Sequence, residues 1–311
     1  MSPPTLSQEE LNAYLDHVQL PLRYRGAEKR ELHNLDLLEA LHIHHITTIP
    51  YENLGLHYTR NPHISTDVHH ILAKALCNGR GGYCMEGNLL FNSILRALGF
   101  NAYLTGARIR LRAGNVPQGP WLGWQHVVNM VTLDDGRVFI ADVAFGGDGP
   151  IRPMPLKEGT TTPNLGTQEL RFVKQPLPDA VTNQLWWTYQ YRNDPNEAWN
   201  SYYCFNGTEF LVADFVVMNG FIGFNPDHFH RVVPIIVRFI RGGEDDSKVV
   251  GKFMLANATV KRNVGGETEV IVDCKTEAAR ISALQQYFDM KLTAEEQHGI
   301  RGRASELTGT D

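Results

Sequence analysis

Apolar residues recur at helical spacing through the first third of the chain. Residues 7–10 read Ser-Gln-Glu-Glu, the arrangement of a capping box, and apolar positions follow on one face of residues 11–18. Similar spacing recurs over residues 35–46 and again over residues 84–98, where a glycine ends the pattern. The pattern therefore predicts a helical bundle over residues 1–99.

After residue 99 the pattern changes to short alternating segments separated by turn residues. These predicted strands cover residues 101–112, 124–133, 137–145, 168–174, 185–191 and 199–205. Their number and spacing favour an antiparallel β-barrel-like domain over residues 100–215. Residues 216–311 then predict a mixed α/β lid, in which a polar tail over residues 302–311 is expected to fray. The lid contains predicted strands at 232–241, 249–259 and 267–273 and a helix at 277–288.

Together these patterns predict an α+β fold of three domains, the helical bundle first, the barrel-like domain second and the lid last. The chain has 311 residues, of which 42% are hydrophobic, enough for a substantial core divided among two or three domains. We see no internal repeat in the sequence.

Residues 134–136, Asp-Asp-Gly, predict the turn of a β-hairpin. If they form the loop, Leu133 pairs with Arg137, and alternation then makes His126 and Asp142 diagonal neighbours on one face. Asp142 also stands inside an apolar run, where a carboxylate needs a partner. Taken singly, the histidine fits a satisfied core residue and the aspartate fits a backbone cap or an edge-strand position. As a pair they predict a contact between a carboxylate and an imidazole.

Cys84 stands where a glycine-rich turn, residues 80–88 reading Arg-Gly-Gly-Tyr-Cys-Met-Glu-Gly-Asn, runs into the predicted helix. Unpaired N–H groups and the macrodipole at a helix start favour a thiolate, so the position predicts a lowered thiol pKa. Read alone, Cys84 fits a small buried hydrophobic residue better than it fits a nucleophile. With His126 as base and Asp142 to orient the base, the three residues predict nucleophilic catalysis.

Residues 80–88, with Gln-His-Val-Val at 125–128 and Asp-Val-Ala-Phe-Gly at 142–146, resemble the arylamine N-acetyltransferase family. Residues 49–54, Ile-Pro-Tyr-Glu-Asn-Leu, resemble the other N-terminal signature of that family. The stretch 176–199 resembles eukaryotic members, in particular fungal ones. The resemblance implies a cysteine-protease-like Cys-His-Asp core.

The activity that the resemblance implies is ping-pong acyl transfer, a reaction of xenobiotic metabolism. An acyl group would pass from acetyl-CoA, or from another short acyl-CoA such as propionyl-CoA or malonyl-CoA, to Cys84. It would then pass to an aromatic amine, a hydrazine or an arylhydroxylamine. No metal is required, because the thiolate, with His126 and Asp142, carries the chemistry.

The resemblance also implies roles for four residues outside the triad. Glu52 and Arg80 would form a structural ion pair beneath it, bracing the turn that carries Cys84. Phe145 would line the acceptor pocket, although an ordinary core aromatic fits the same position. Gly123 would contact coenzyme A.

Departures from the family pattern leave the acyl donor open. Ala144 stands where many relatives have glycine, and residues 216–226 lack the serine- and threonine-rich character that many relatives show near the cofactor. Two other functions remain possible on the sequence. One is a thiol hydrolase or transglutaminase-like amidase, and the other is a catalytically silent relative that binds small molecules.

Composition and charge limit the partners and the cellular location that we expect for the protein. A net charge of −5 and an isoelectric point near 6.2 argue against a nucleic-acid partner. No apolar run is long enough for a membrane span and no secretory signal pattern is present, so we expect a cytoplasmic protein without a membrane partner. The four scattered cysteines predict reduced thiols, and the histidines at 42, 44, 45, 69 and 70 lack the partners of a metal site. The oligomeric state stays open.

Overall fold

The computed structural model describes residues 5–25, 34–114, 116–243 and 246–309. Within the described residues, four α-helices lie in the N-terminal third: α1 (Gln8–His17), α2 (Leu35–Thr48), α3 (Val68–Asn78) and α4 (Cys84–Ala97). The predicted capping box is confirmed, because the Ser7 hydroxyl accepts from the Glu10 N–H while the Glu10 carboxylate accepts from the Ser7 N–H. Helix α4 is the central one, with every residue from its start to Leu95 buried.

The first two thirds of the described chain also contain eleven strands, of which the first lies between α2 and α3. They are β1 (Tyr51–Glu52), β2 (Asn101–Ile109), β3 (Leu111–Ala113), β4 (Val116–Gln118), β5 (Trp124–Thr132), β6 (Val138–Ala141), β7 (Met154–Pro155), β8 (Thr162–Pro163), β9 (Glu169–Pro176), β10 (Leu185–Arg192) and β11 (Asn200–Phe205). Eight of them form one antiparallel sheet in the order β7-β6-β5-β2-β11-β10-β9-β8. This barrel-like sheet and the helices before it confirm the predicted α+β class.

The hairpin register predicted from the turn residues is confirmed. The Leu133 N–H donates to the Arg137 carbonyl over 2.9 Å, and Asn129 lies opposite Ala141. The predicted strand over residues 137–145 is too long, because the ladder ends at Ala141. Beyond it the Val143 N–H donates to the Asn88 side chain at 3.1 Å instead of to a strand.

The remaining elements are α5 (Val212–Phe224), α6 (Phe229–Val232), β12 (Ile235–Gly242), β13 (Lys248–Ala256), β14 (Thr259–Val264), β15 (Glu267–Asp273), α7 (Glu277–Phe288) and α8 (Ala294–Gly299). The bounds of β15 and α7 are those that the sequence predicts. The single strand predicted over residues 249–259 is wrong, since the chain turns after Ala256 and continues as β14. Asn257 takes a left-handed φ of 53° there, without a glycine to mark the turn.

The second sheet joins distant parts of the chain. Its order is β1-β12-β13-β14-β15, so a strand from the N-terminal third pairs with the C-terminal hairpins. The largest apolar cluster likewise runs from Leu6 to Val249 and draws on all three predicted segments. The boundaries 1–99, 100–215 and 216–311 therefore remain a prediction, and packing crosses each of them.

The polar tail is not frayed over residues 302–309, which corrects the expectation from composition. Ser305 is buried, its carbonyl accepts from Arg280 at 2.8 Å, and its hydroxyl hydrogen-bonds His57 at 2.8 Å. Arg280 is itself fully buried and also donates to the Tyr58 hydroxyl. Residues 310–311 lie outside the described residues. No helix in the described ranges combines the length and the apolar character needed to cross a membrane.

Candidate active site

A close crossing of two backbone segments fixes the turn that carries Cys84. The Glu52 N–H donates to the Gly82 carbonyl at 3.0 Å, so the turn lies beside β1. A Cβ on Gly81 would stand 1.7 Å from the Pro50 carbonyl oxygen, so only glycine fits at that position. Helix α4 then begins at Cys84, as the sequence predicts, with Tyr83 as its N-cap.

His126 and Asp142 meet as the predicted hairpin register requires. The His126 Nε2 lies 2.7 Å from Asp142 Oδ2, and both side chains are buried, 2% and 1% exposed. The second carboxylate oxygen accepts from Asn88 Nδ2 at 2.9 Å and from the Ala144 N–H at 3.2 Å. Asp142 is therefore fully hydrogen-bonded. As a carboxylate it is an acceptor, so it assigns the proton to Nε2 of His126 and leaves Nδ1 as the basic atom.

Cys84 and His126 line the same cavity, which has a volume of about 410 Å³. The Cys84 side chain is 4% exposed, and its sulfur lies 3.6 Å from the Gln125 carbonyl oxygen, on the residue before His126. The ring of Phe145 packs on His126 with centroids 4.8 Å apart and lines the same cavity. The cavity thus brings the candidate nucleophile and base together with an aromatic wall.

The expected lowering of the Cys84 pKa is not found. Burial raises the pKa of the Cys84 thiol well above its usual range, and the nearby Asp142 charge raises it further. The backbone N–H groups of Met85 and Cys84 act in the opposite direction, as expected at a helix start, but they do not outweigh burial. A thiolate at this position therefore needs a cation beside it, and His126, which lines the same cavity, is the candidate for that cation.

Glu52 and Arg80 lie in contact beneath the turn. Arg80 Nε lies 3.0 Å and Nη2 3.3 Å from the two Glu52 oxygens, and each residue is 1% exposed. Burial favours the neutral form of Glu52, but the charges of Arg80 and Lys74 prevail and lower its pKa. Arg80 Nη1 also binds Glu296 of α8, so the C-terminal region contacts the turn that carries the thiol.

Two further members of this ion network escaped the sequence analysis. Lys74 of α3 lies 2.6 Å from Glu86 and 3.8 Å from Glu52. Glu86 is the N3 residue of α4 and accepts from the Tyr83 N–H at 3.3 Å. Burial raises the pKa of Glu86, against the charge of Lys74. The spacing Tyr-Cys-Met-Glu was the available signal, because a carboxylate three residues past a helix N-cap commonly closes a capping box.

The other predicted substrate contacts differ in their position relative to the cavity and to the turn that carries Cys84. Gly123 is exposed, just before β5, and is not among the residues that line the cavity with Cys84. Residues 212–224 form α5, which contacts the turn through a hydrogen bond from the Tyr83 hydroxyl to Asn219. Lining residues that the sequence analysis did not select as site residues include Tyr51, Arg110, Arg112, Asp148, Tyr202 and His230. In the described chain, no group of three or more His, Cys, Asp or Glu side chains is arranged to hold a metal ion.

Replacing His126 is expected to leave the buried Cys84 thiol without a base, so that its reactivity follows its raised pKa. At pH 7 the His126→Ala variant should react with iodoacetamide on the order of 100-fold more slowly than the unmodified protein. Because its thiol then titrates alone, its rate should rise about tenfold per pH unit between pH 7 and pH 9. Mass-spectrometric counting of alkylated Cys84 measures both rates. Equal rates at pH 7 in the two proteins would contradict the assignment of His126 as the partner of the thiol.

Removing the charge of Glu52 is expected to destabilise the fold. Glu52→Gln leaves a buried guanidinium with a weaker partner, at a cost of about 3–5 kcal/mol in the free energy of unfolding. Glu269→Gln serves as the matched control, since its pair with Arg262 is solvent-exposed and should contribute about 1 kcal/mol or less. Urea unfolding followed by circular dichroism compares the two variants. Equal losses of unfolding free energy would show that the buried Glu52–Arg80 pair stabilises the fold no more than the exposed pair does.

Known proteins resemble this chain over nearly its whole length. A family profile described as N-acetyltransferase matches residues 34–297. An N-malonyltransferase, FDB2, from Fusarium pseudograminearum (strain CS3096) is 31% identical over 96% of this chain and 93% of its own. The arylamine N-acetyltransferase of Escherichia coli (strain K12) is 31% identical over 78% of this chain and 76% of its own.

A solved structure shows the same fold. The arylamine N-acetyltransferase from Salmonella typhimurium superposes with a TM-score of 0.76 at 26% identity, covering 96% of this chain and 98% of that one. Together with the family profile and the fungal relative, this structure confirms the resemblance seen in the sequence motifs. The chain is a fungal-like member of the arylamine N-acetyltransferase family, and therefore an acyltransferase.

Proposed function

We propose that this protein transfers a short acyl group from an acyl-CoA to an amine through a thioester on Cys84. One observation carries the proposal: Cys84 and His126 face one cavity while a buried carboxylate, Asp142, holds the far side of the imidazole. A nucleophile, a base and a group that orients the base are the parts that covalent acyl transfer requires.

In the first half-reaction Cys84 becomes acylated. His126 Nδ1 takes the thiol proton, and the imidazolium that forms is stabilised by Asp142 on Nε2. The thiolate attacks the carbonyl carbon of the acyl-CoA, a new carbon–sulfur bond to Cys84 forms, and the bond to the sulfur of coenzyme A breaks. His126 then returns its proton to the departing coenzyme A thiolate. One thioester replaces another, so little bond energy is lost.

In the second half-reaction an amine nitrogen attacks the acyl-Cys84 carbonyl carbon. A carbon–nitrogen bond forms, the bond to the Cys84 sulfur breaks, and His126 takes the proton that the amine loses. The step leaves Cys84 as a thiolate beside the His126 imidazolium, the same pair that proton transfer forms at the start of the first half-reaction. The same base therefore serves both halves of a ping-pong reaction.

The aromatic side chains that line the cavity favour the proposal of an aromatic acceptor. Phe145, Tyr202 and Phe229 line it, and the Phe145 and Tyr202 ring centroids are 4.7 Å apart in an edge-on arrangement. An aromatic amine, hydrazine or arylhydroxylamine would pack its ring against these side chains and point its nitrogen towards Cys84. Candidate donors are acetyl-CoA, propionyl-CoA and malonyl-CoA, and the name of the fungal N-malonyltransferase supports including the last of these.

Acylation of Cys84 tests the proposal directly. After incubation with acetyl-, propionyl- or malonyl-CoA, the intact mass of the unmodified protein should increase by one acyl group with at least one donor. The Cys84→Ala variant should show no increase. Cys204→Ala is the matched control, because Cys204 is also buried but does not line the cavity, and it should be acylated normally.

Other outcomes point to the alternative functions. Peptide or amide hydrolysis without coenzyme A, abolished in Cys84→Ala, would instead favour a thiol hydrolase. Binding of aromatic amines without any acyl adduct would favour a catalytically silent relative. An adduct that persists in Cys84→Ala would overturn the assignment of the nucleophile.

A further inference from the structure

Tyr51 lines the same cavity as Cys84, and the reaction scheme leaves its hydroxyl without a role. The backbone of Tyr51 forms a parallel bridge with Gly82, two residues before Cys84. The Tyr51 ring also lies close to Gly146, since a Cβ built on that glycine would stand 3.4 Å from the ring atom Cε1. The ring is therefore held between the turn that carries the thiol and the segment that follows the hairpin.

The hydroxyl of Tyr51 forms a hydrogen bond with the ring of a buried histidine. Its oxygen lies 3.3 Å from Nε2 of His230, a residue that lines the same cavity and is 4% exposed. A phenol and a neutral imidazole can each donate or accept. The direction of this hydrogen bond therefore depends on which ring nitrogen of His230 carries the hydrogen.

Asn53 determines that tautomer. Its Oδ1 accepts from the Ile235 N–H at 2.7 Å, and its Nδ2 donates to the carbonyls of His230 and Val233 at 3.0 and 2.8 Å. These backbone partners fix the orientation of the amide. The same Nδ2 lies 3.5 Å from Nδ1 of His230, so a hydrogen on Nδ1 would face another donor. Burial lowers the pKa of His230 well below its usual range, so the ring is neutral and carries its one hydrogen on Nε2.

This tautomer leaves the hydroxyl hydrogen of Tyr51 available to the cavity. The Nε2–H of His230 donates to the phenol oxygen, and within the described ranges the Tyr51 hydroxyl forms no second hydrogen bond. Burial raises the pKa of Tyr51 well above its usual range, and the charge of Cys84 raises it further. The hydroxyl therefore keeps its hydrogen at neutral pH and can donate it to a group bound at the thiol.

Acyl transfer at Cys84 creates a negative charge that needs such a donor. When the thiolate attacks the carbonyl carbon, the electron pair of the carbon–oxygen π bond moves onto the oxygen, and it returns when the bond to the leaving group breaks. The backbone N–H groups of Met85 and Cys84 bind the sulfur and favour its charge. A donor for the oxygen must then come from another part of the cavity wall.

We propose that the Tyr51 hydroxyl donates a hydrogen bond to the carbonyl oxygen in both half-reactions, and that His230 is the positioning residue that orients it. The inference rests on the proposed acyl transfer and adds an oxyanion-binding side chain to it. Tyr51 keeps its proton throughout, while the proton of the thiol passes to His126 and then to coenzyme A. Because the oxygen is more negative in the transition state than in the bound thioester, this hydrogen bond accelerates the chemical step more than it strengthens binding.

Tyr51→Phe tests the role of the hydroxyl, because it removes that group and keeps the ring. Single-turnover acylation of Cys84, followed by intact mass with the acyl-CoA that the unmodified protein uses best, should slow on the order of 100-fold at saturating thioester. The thioester concentration that gives half of the maximal rate should change by about threefold or less. Alkylation of Cys84 by iodoacetamide should keep its rate, because displacement at a saturated carbon forms no oxyanion.

Tyr103→Phe is the matched control. The Tyr103 hydroxyl donates to the Gly207 carbonyl at 3.0 Å, and neither residue lines the cavity with Cys84. This variant also loses a hydroxyl that forms a hydrogen bond, but it should leave the acylation rate and the alkylation rate unchanged.

A double-mutant cycle tests the orienting role of His230. His230→Leu alone should slow acylation, and in a protein that already carries Tyr51→Phe it should cause little further loss, because both changes act on one hydroxyl. His230→Gln can place an N–H near the position of Nε2 and should keep more of the rate than His230→Leu. Losses that multiply in the double variant would overturn the orienting role.

The remaining outcomes separate the role of Tyr51 from the reaction itself. Equal slowing of acylation and alkylation in Tyr51→Phe would show that the hydroxyl only supports the shape of the site. An unchanged acylation rate would show that it does not stabilise the oxygen. Either result would overturn the inference and leave the acyltransferase proposal standing, whereas failure of every thioester to acylate the unmodified protein would overturn that proposal first.

Discussion

The burial of Cys84 at a cavity that it shares with His126 is the constraint on which the rest of the site depends. A thiol placed at the start of α4 and enclosed by two sheets is held in its neutral form by burial, in spite of the N–H groups around it. It becomes a nucleophile only if a base accepts its proton nearby. In the proposed reaction that base must itself be stabilised as a cation, and Asp142, 2.7 Å from His126 Nε2, would supply the stabilising charge.

Several structural features serve this one requirement. Asn88, one turn along α4 from the thiol, donates to Asp142 and accepts from the Val143 N–H, so Cys84 and the Asp142 carboxylate are tied to the same helix. Beneath the turn, Arg80 connects β1 to α8 through Glu52 and Glu296. Residues far apart in sequence thus fix one short turn, and a loss at any of them would shift the sulfur relative to the base.

Local sequence signals predicted much of this architecture. The turn residues 134–136 determined the hairpin register, because two strands joined by a short loop have few ways to pair. That register brings the end of β6 beside β5, and Asp142, one residue past that end, meets His126 there. The helix predicted over residues 277–288 has the bounds of α7, and in the structure the Thr276 side chain caps its start.

The features that were missed depend on contacts between distant segments. Nothing near Tyr51 indicates its pairing with β12, and the polar tail gives no local sign that Arg280 will hold Ser305. The predicted lowering of the Cys84 pKa was wrong for the same reason. The helix start is visible in the sequence, whereas the burial that outweighs it arises from the two sheets and the helices packed around them.

Discharge of the acylated protein shows whether the thioester on Cys84 lies on the reaction path. Acyl-Cys84 protein is freed of excess thioester, mixed with an aromatic amine and quenched at intervals for mass spectrometry. The account predicts that the adduct disappears at least as fast as steady-state turnover, with one molecule of N-acyl product for each adduct lost. An adduct that persists through many turnovers while product accumulates would contradict it, because the thioester on Cys84 would then lie outside the reaction path.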